Sequence, residues 1–150
     1  MKTVVQRVSQ AAVRVDDEVV GRIDRGVMLL VGVQRGDTEA DAVATARKIA
    51  SLRIFPGRTP MDLDLSQVDG GCLVVSQFTL AGTVRKGRRP SFDAAMAPDA
   101  ADALYQRVAQ ELRDLGLPVA TGRFGAHMDI DMTCDGPVTL LVFTQDGTVL

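Results

Sequence analysis

Four residues, Ser76-Gln77-Phe78-Thr79, close an apolar segment that begins at Cys72. A strand buried on both faces has little use for them. Polar groups at the carboxyl edge of a sheet stand where ligands often bind. The plainer alternative is a strand running out into a loop, its hydroxyls bonded to nearby backbone. Neither Ser76 nor Thr79 is nucleophilic without an adjacent base. His127 is the one histidine, so it is the one imidazole able to serve, and a multi-histidine metal site within the chain is excluded. Alternation with Met128 puts His127 on a polar face with Asp129, a place that suits a solvated side chain. One reading of these residues is a serine or threonine hydrolase of small esters.

Two further segments could carry chemistry. Arg85-Lys86-Gly87-Arg88-Arg89 concentrates four cations, with Phe92 close behind. Such a run is often just a solvated loop, but cations beside an aromatic also suit a phosphate-bearing strand with exposed bases. Gly136-Pro137 reads as an ordinary turn. A cis Gly-Pro bond costs only about 0.5–1 kcal/mol and would aim consecutive carbonyls the same way, beside a residue with no side chain.

These segments must be positioned by one domain. The chain has 150 residues, 46% hydrophobic and 24% charged, without repeat, linker or low-complexity tract. A domain this long buries roughly 70% of its unfolded surface and needs no staple. The net charge of −2 predicts no blanket affinity for nucleic acid or anionic membrane. No apolar run reaches the roughly 20 residues that span a bilayer, and the chain reads as cytosolic and unprocessed. Cys72 and Cys134 match no zinc or redox spacing and read as core or strand residues.

Val4–Val8 and Ala11–Val15 read as strands, with a hairpin turn at Asp16-Asp17 leading back through Val19 to Ile23. Gly26–Val33 is a continuous apolar strand. A helix starts in Asp37–Asp41 and runs to Pro56-Gly57. The second apolar strand spans Cys72–Leu80. A second helix opens near Pro98, with Leu104, Val108, Leu112 and Leu115 as its stripe and Gly116 as its stop. Met128–Met132 alternates as a half-buried strand, and Gly136-Pro137 turns into a last strand, Val138–Phe143. The expectation is a single mixed α/β domain over residues 1–150, mainly antiparallel sheet with two main helices, its last few residues a tail.

Taken together, these segments resemble the D-aminoacyl-tRNA deacylase (D-tyrosyl-tRNA deacylase) family. The residues carrying the likeness are Ser76-Gln77-Phe78-Thr79-Leu80 and Gly136-Pro137-Val138-Thr139. Gln6-Arg7-Val8, Arg53-Ile54-Phe55, Arg89-Pro90-Ser91-Phe92 and Thr121-Gly122-Arg123-Phe124 support it. The order and spacing match from about residue 1 to 144. One departure is Cys134, which stands where the family usually has Asn, two residues before the Gly-Pro.

The resemblance implies a homodimeric hydrolase that cleaves D-amino acids, and mischarged glycine, from the 3′ end of tRNA. It implies no metal, cofactor or membrane partner. Gly136 and Pro137, in a cis bond, would enter the partner subunit's pocket as a chirality filter. Ser76, Gln77, Phe78 and Thr79 would shape the pocket and place the ester for attack by water, assisted by the tRNA 2′-hydroxyl. Arg85, Lys86, Arg88 and Arg89 are candidates for tRNA phosphate contacts. A non-enzymatic RNA-binding module and a purely structural protein are the competing readings.

Overall fold

The computed structural model describes residues 1–150. Its elements are β1 (Lys2–Val15), β2 (Glu18–Ile23), β3 (Gly26–Gly32), α1 (Glu39–Ala50), β4 (Gly71–Ser76), α2 (Pro98–Asp114), β5 (Val119–Thr121), β6 (Asp129–Gln145) and β7 (Thr148–Val149). All seven strands form one sheet in the order β5-β4-β3-β1-β6-β7, with β2 on β1 beyond the end of β3. The pairs β3–β4 and β4–β5 are parallel and every other pair is antiparallel, as expected for a mixed, mainly antiparallel domain. The sheet curls until β2 meets β5: a Cβ on Gly21 would lie 2.4 Å from the Thr121 carbonyl oxygen. No helix is long and apolar enough to cross a membrane.

Local chemistry explains the connections. Asp16 and Asp17 both take positive φ, +50° and +64°, the backbone of a two-residue hairpin turn whose twist matches its strands. Asp146 and Gly147 repeat the device at +52° and +73°. The last residues are therefore not the expected tail: Thr148 and Val149 pair back onto Gln145 and Thr144. Asp41 ties this turn to α1. Its carboxylate accepts from the Thr38 N–H at 2.8 Å, the Thr38 hydroxyl at 3.0 Å and the Gly147 N–H at 3.0 Å.

Several boundaries differ from the sequence reading. β1 is one strand rather than two, because Ser9 and Gln10 stay in it as an exposed irregularity in the pairing with β6. α1 stops at Ala50, not at Pro56-Gly57. The following segment is extended and buries Ile54 and Phe55, with Phe55 exchanging two backbone hydrogen bonds with Leu63. β4 ends at Ser76 rather than Leu80. β6 runs continuously through Gly136-Pro137 instead of breaking into two strands. In α2 the buried positions include Ala101, Tyr105, Val108 and Leu112, whereas Leu115 lies past the last turn and is exposed.

The helices cover one face of the sheet. A core of 21 buried residues forms there, with Val5, Leu29 and Val74 from the strands against Ala46, Ile49, Tyr105 and Leu112 from the helices. The opposite face holds a smaller cluster of seven: Val8, Ala11, Val13, Ile23, Met28, Leu73 and Val75. That cluster does not extend across the sheet. Val4 stands opposite both Leu30 and Leu141, and residues opposite one another share a face. Val4 and Leu30 are half-buried, and Leu141 at the β6 end of the row is 62% exposed.

Candidate active site

A cavity of about 510 Å³ opens at the carboxyl ends of β3 and β4. Val31, Val75, Ser76, Gln77 and Phe78 form its sheet side. Met96, Pro98 and Ala101, around the start of α2, close a second side, and residues 124–128 with Ile130 close a third. The β4 ladder ends where the Gln77 N–H bonds to the Val31 carbonyl at 2.8 Å. A 3-10 turn, Phe78–Ala81, follows directly. Such a turn leaves its first N–H groups, those of Phe78 and Thr79, without an acceptor of its own. Phe78 is 59% exposed and meets Phe92 edge-on, with ring centroids 5.2 Å apart.

The four residues read as one site therefore divide. Ser76, Gln77 and Phe78 line the cavity, while Thr79 is exposed on the turn outside its wall. The Gln77 amide donates to the Thr79 hydroxyl at 2.5 Å. His127 lies before β6 begins; it is exposed, as expected, and it also forms part of the cavity wall.

Charge is nearly absent from this wall. No Asp, Glu, Lys or Arg lines it, and His127 is its one ionisable side chain. Behind the wall the Tyr105 hydroxyl donates to the Val74 carbonyl at 2.8 Å, and burial pushes the phenol up to about 12. Burial likewise pushes the Cys72 thiol up to about 12, which keeps it a neutral core group. No cluster of three His, Cys, Asp or Glu side chains is placed to hold a metal ion.

Gly136 and Pro137 are absent from this cavity and lie on a bulge of β6. Between the pairs Gln6–Thr139 and Val8–Cys134, β1 advances two residues while β6 advances five, so residues 135–138 leave the ladder. The Gly136-Pro137 bond is cis, and both residues are exposed. Gly136 has φ +126°, and a Cβ there would stand 3.0 Å from the Val138 nitrogen and 3.2 Å from Arg7 Nη2. Arg7, largely buried, braces the base of the bulge. Its Nε donates to the Asp135 carbonyl at 3.1 Å and faces the Asp135 carboxylate at 3.2 Å, while Nη1 donates to the Ile54 carbonyl. Cys134 is exposed and takes no part in this brace.

The basic loop is a third, separate feature. Arg85, Lys86, Arg88 and Arg89 are exposed and make no ion pair, in a loop closed by the Thr83–Ser91 backbone pair. Sequence reasoning did not assign Met96, Met128 or the turn before β6 to a site, because apolar residues at a cavity wall look like core. The one local signal there was Gly125, which takes positive φ, +73°, in the turn closed by the Ala126 N–H to the Arg123 carbonyl.

Comparison with known proteins is consistent along the whole chain. The family model described as D-Tyr-tRNA(Tyr) deacylase matches residues 4–143. A D-aminoacyl-tRNA deacylase of Geobacter metallireducens is 51% identical over 149 residues, covering 99% of each chain. One from Halalkalibacterium halodurans is 52% identical over 143 residues, covering 95% of this chain and 98% of its own. Among solved structures, a c-Myc DNA unwinding element binding protein superposes with a TM-score of 0.89 at 36% identity, covering 96% of this chain and 99% of its own. A probable eukaryotic D-amino acid tRNA deacylase shares the fold, with a TM-score of 0.75 at 22% identity over 93% of this chain and 97% of its own.

Proposed function

The chain belongs to the D-aminoacyl-tRNA deacylase family, and from that premise we propose that it hydrolyses D-aminoacyl-tRNA as a homodimer whose active sites are shared between protomers. The observation that carries the shared site is a separation. The Gly136-Pro137 bulge projects from β6 into solvent, and the cavity of the same protomer lacks it. The row Leu30–Val4–Leu141 ends on the same strand as the bulge, in the exposed Leu141, and supports a second copy docking there.

In this reading the bulge of one protomer closes the cavity of the other. The Gly136 and Pro137 carbonyls accept from the α-ammonium of a D-aminoacyl group. An L-enantiomer turns its Cβ into them and leaves the ammonium unpaired, which discriminates strongly because polar groups are then buried without partners. Side-chain identity is not read, so several D-amino acids are substrates, and glycine, lacking a Cβ, passes too.

Phe78 and the apolar wall hold the terminal nucleoside. Water, assisted by the tRNA 2′-hydroxyl, attacks the ester carbonyl, and the N–H groups of Phe78 and Thr79 stabilise the developing oxyanion. The C–O ester bond then breaks, releasing the free amino acid and the tRNA 3′-hydroxyl. Thr79 lies outside the cavity wall with its hydroxyl engaged by Gln77, which favours water over threonine as nucleophile. Arg85, Lys86, Arg88 and Arg89 contact tRNA phosphates.

Release of labelled tyrosine from D-Tyr-tRNA and L-Tyr-tRNA, with Gly136→Ala as a third arm, tests the reading. Fast release from the D-ester alone, lost or relaxed in the variant, is expected. Equal release from both enantiomers would make the protein a generic esterase, and tRNA binding without release would make it a binding module.

A further inference from the structure

We propose that His127 is a substrate-binding residue, whose protonated imidazole takes a phosphate oxygen next to the terminal nucleoside; this rests on the cavity being the acylated 3′-end site. His127 is the one ionisable side chain in the cavity wall. It sits at the rim, exposed, where a polyanionic chain must leave an otherwise uncharged cavity. From β3, β4, the 3-10 turn and the start of α2, no charged group faces into the cavity. On its own segment the nearest charges in sequence are Arg123 and Asp129, both exposed. Asp129 stands opposite Arg14 in the ladder, and the Arg14 guanidinium binds Asp131 at 2.6 Å.

Two chemistries are open to a lone histidine here. A general base must reach the water near the ester carbonyl. The N–H groups proposed for the oxyanion belong to the 3-10 turn at β4, whereas His127 comes from the facing segment and is open to solvent. A rim imidazolium instead meets the phosphate of the linkage entering the cavity. An imidazolium is a charged donor at both ring nitrogens, so it can hold a phosphate oxygen by a charge-assisted hydrogen bond. Binding strengthens as pH falls, because the cationic form makes it.

The test measures affinity separately from turnover. The ligand is a short RNA ending in CCA, with a D-amino acid joined to its 3′ end through an uncleavable amide. Its Kd is measured from pH 5.5 to 8.0 for the wild type, His127→Gln and His127→Lys. The ligand's own amine titrates alike in all three, so ratios to His127→Gln isolate the residue. The expected result is a wild type binding about three- to tenfold tighter than His127→Gln at pH 5.5 and converging on it at pH 8. His127→Lys should stay tight throughout. A ratio that does not change with pH overturns the proposal, as does a variant that loses turnover of D-Tyr-tRNA while keeping its Kd, which would indicate a general base. Absence of D-Tyr release by the wild type would overturn the deacylase reading alone, since the Kd ratios still report on His127.

Discussion

On the helix side of the sheet, two helices seal a core of 21 buried residues, where Tyr105 is matched to Val74 and Glu111 to both Arg47 and Arg107, and the Thr3 hydroxyl alone is left without a partner. On the other side, seven buried residues form a smaller cluster, and the row beside it is half-buried at Val4 and Leu30 and exposed at Leu141. The first face is finished within one chain and the second is not. The bulge carrying Gly136 and Pro137 rises from the strand that bears the unfinished edge. The cavity draws Val31, Val33 and Ala101 from the sealed core, whereas the bulge belongs to the unfinished side, so substitutions deep in that core and on the exposed row should separate folding from assembly.

The largest effect on folding is expected on the sealed face. Leu29→Ala removes a fully buried side chain and should cost about 2–5 kcal/mol in denaturant unfolding, with the D/L preference of the remaining folded enzyme unchanged. Leu141→Asp should do the reverse. Its far-UV spectrum should match the wild type, while sedimentation gives a monomer and D-Tyr release falls about 30-fold. A Leu141→Asp protein that stays dimeric and active would place the interface elsewhere.

Smaller effects sharpen the contrast. Thr79→Ala should slow release only about two- to fivefold if water is the nucleophile; complete loss in a folded protein would restore the covalent threonine reading. Asp41 belongs to the sealed side. Burial pushes its carboxyl up, but the hydrogen bonds from Gly147 and Thr38 outweigh this and hold it below the usual carboxylate range. Its stabilising contribution is therefore present above the unfolded-state value near 3.9 and is lost as pH falls through the lower folded value. Asp41→Asn should be about 1 kcal/mol less stable than the wild type at pH 7, the difference shrinking below about pH 4. A difference independent of pH would contradict that sign. Cys134→Asn should leave release unchanged, because Arg7 braces the bulge through Asp135.

The sealed face was the more legible in sequence. Gly26–Val33 and the first part of Cys72–Leu80 read as strands because their apolar runs are continuous, and Pro98 and Gly116 marked α2 by their backbone preferences. The boundaries that moved did so for tertiary reasons. Phe55 is pulled into the core by an extended segment that no local signal distinguishes from helix, and β4 ends early because Gly32 lets the 3-10 turn approach, with Leu80 Cβ 2.7 Å from where a Cβ on Gly32 would lie. In the site, Ser76 and Gln77 stood out as polar residues ending an apolar run. Met96, Met128 and Arg7 did not, since a wall and a brace are defined by neighbours distant in sequence. Periodicity alone reached a polar-ligand site in an α/β domain; the resemblance supplied the reaction.

The claim that each active site joins one protomer's cavity to its partner's bulge has a direct test. A cavity variant, Gln77→Ala with Phe78→Ala, is mixed with a bulge variant, Gly136→Ala with Pro137→Ala, after dissociation and re-association. A mixed dimer then holds one composite site with both parts intact, so D-Tyr release should recover to about a quarter of the wild-type rate, although each variant alone is inactive. If the mixture stays as inactive as its components while sedimentation shows mixed dimers, cavity and bulge act within one chain, and the shared-site account is wrong.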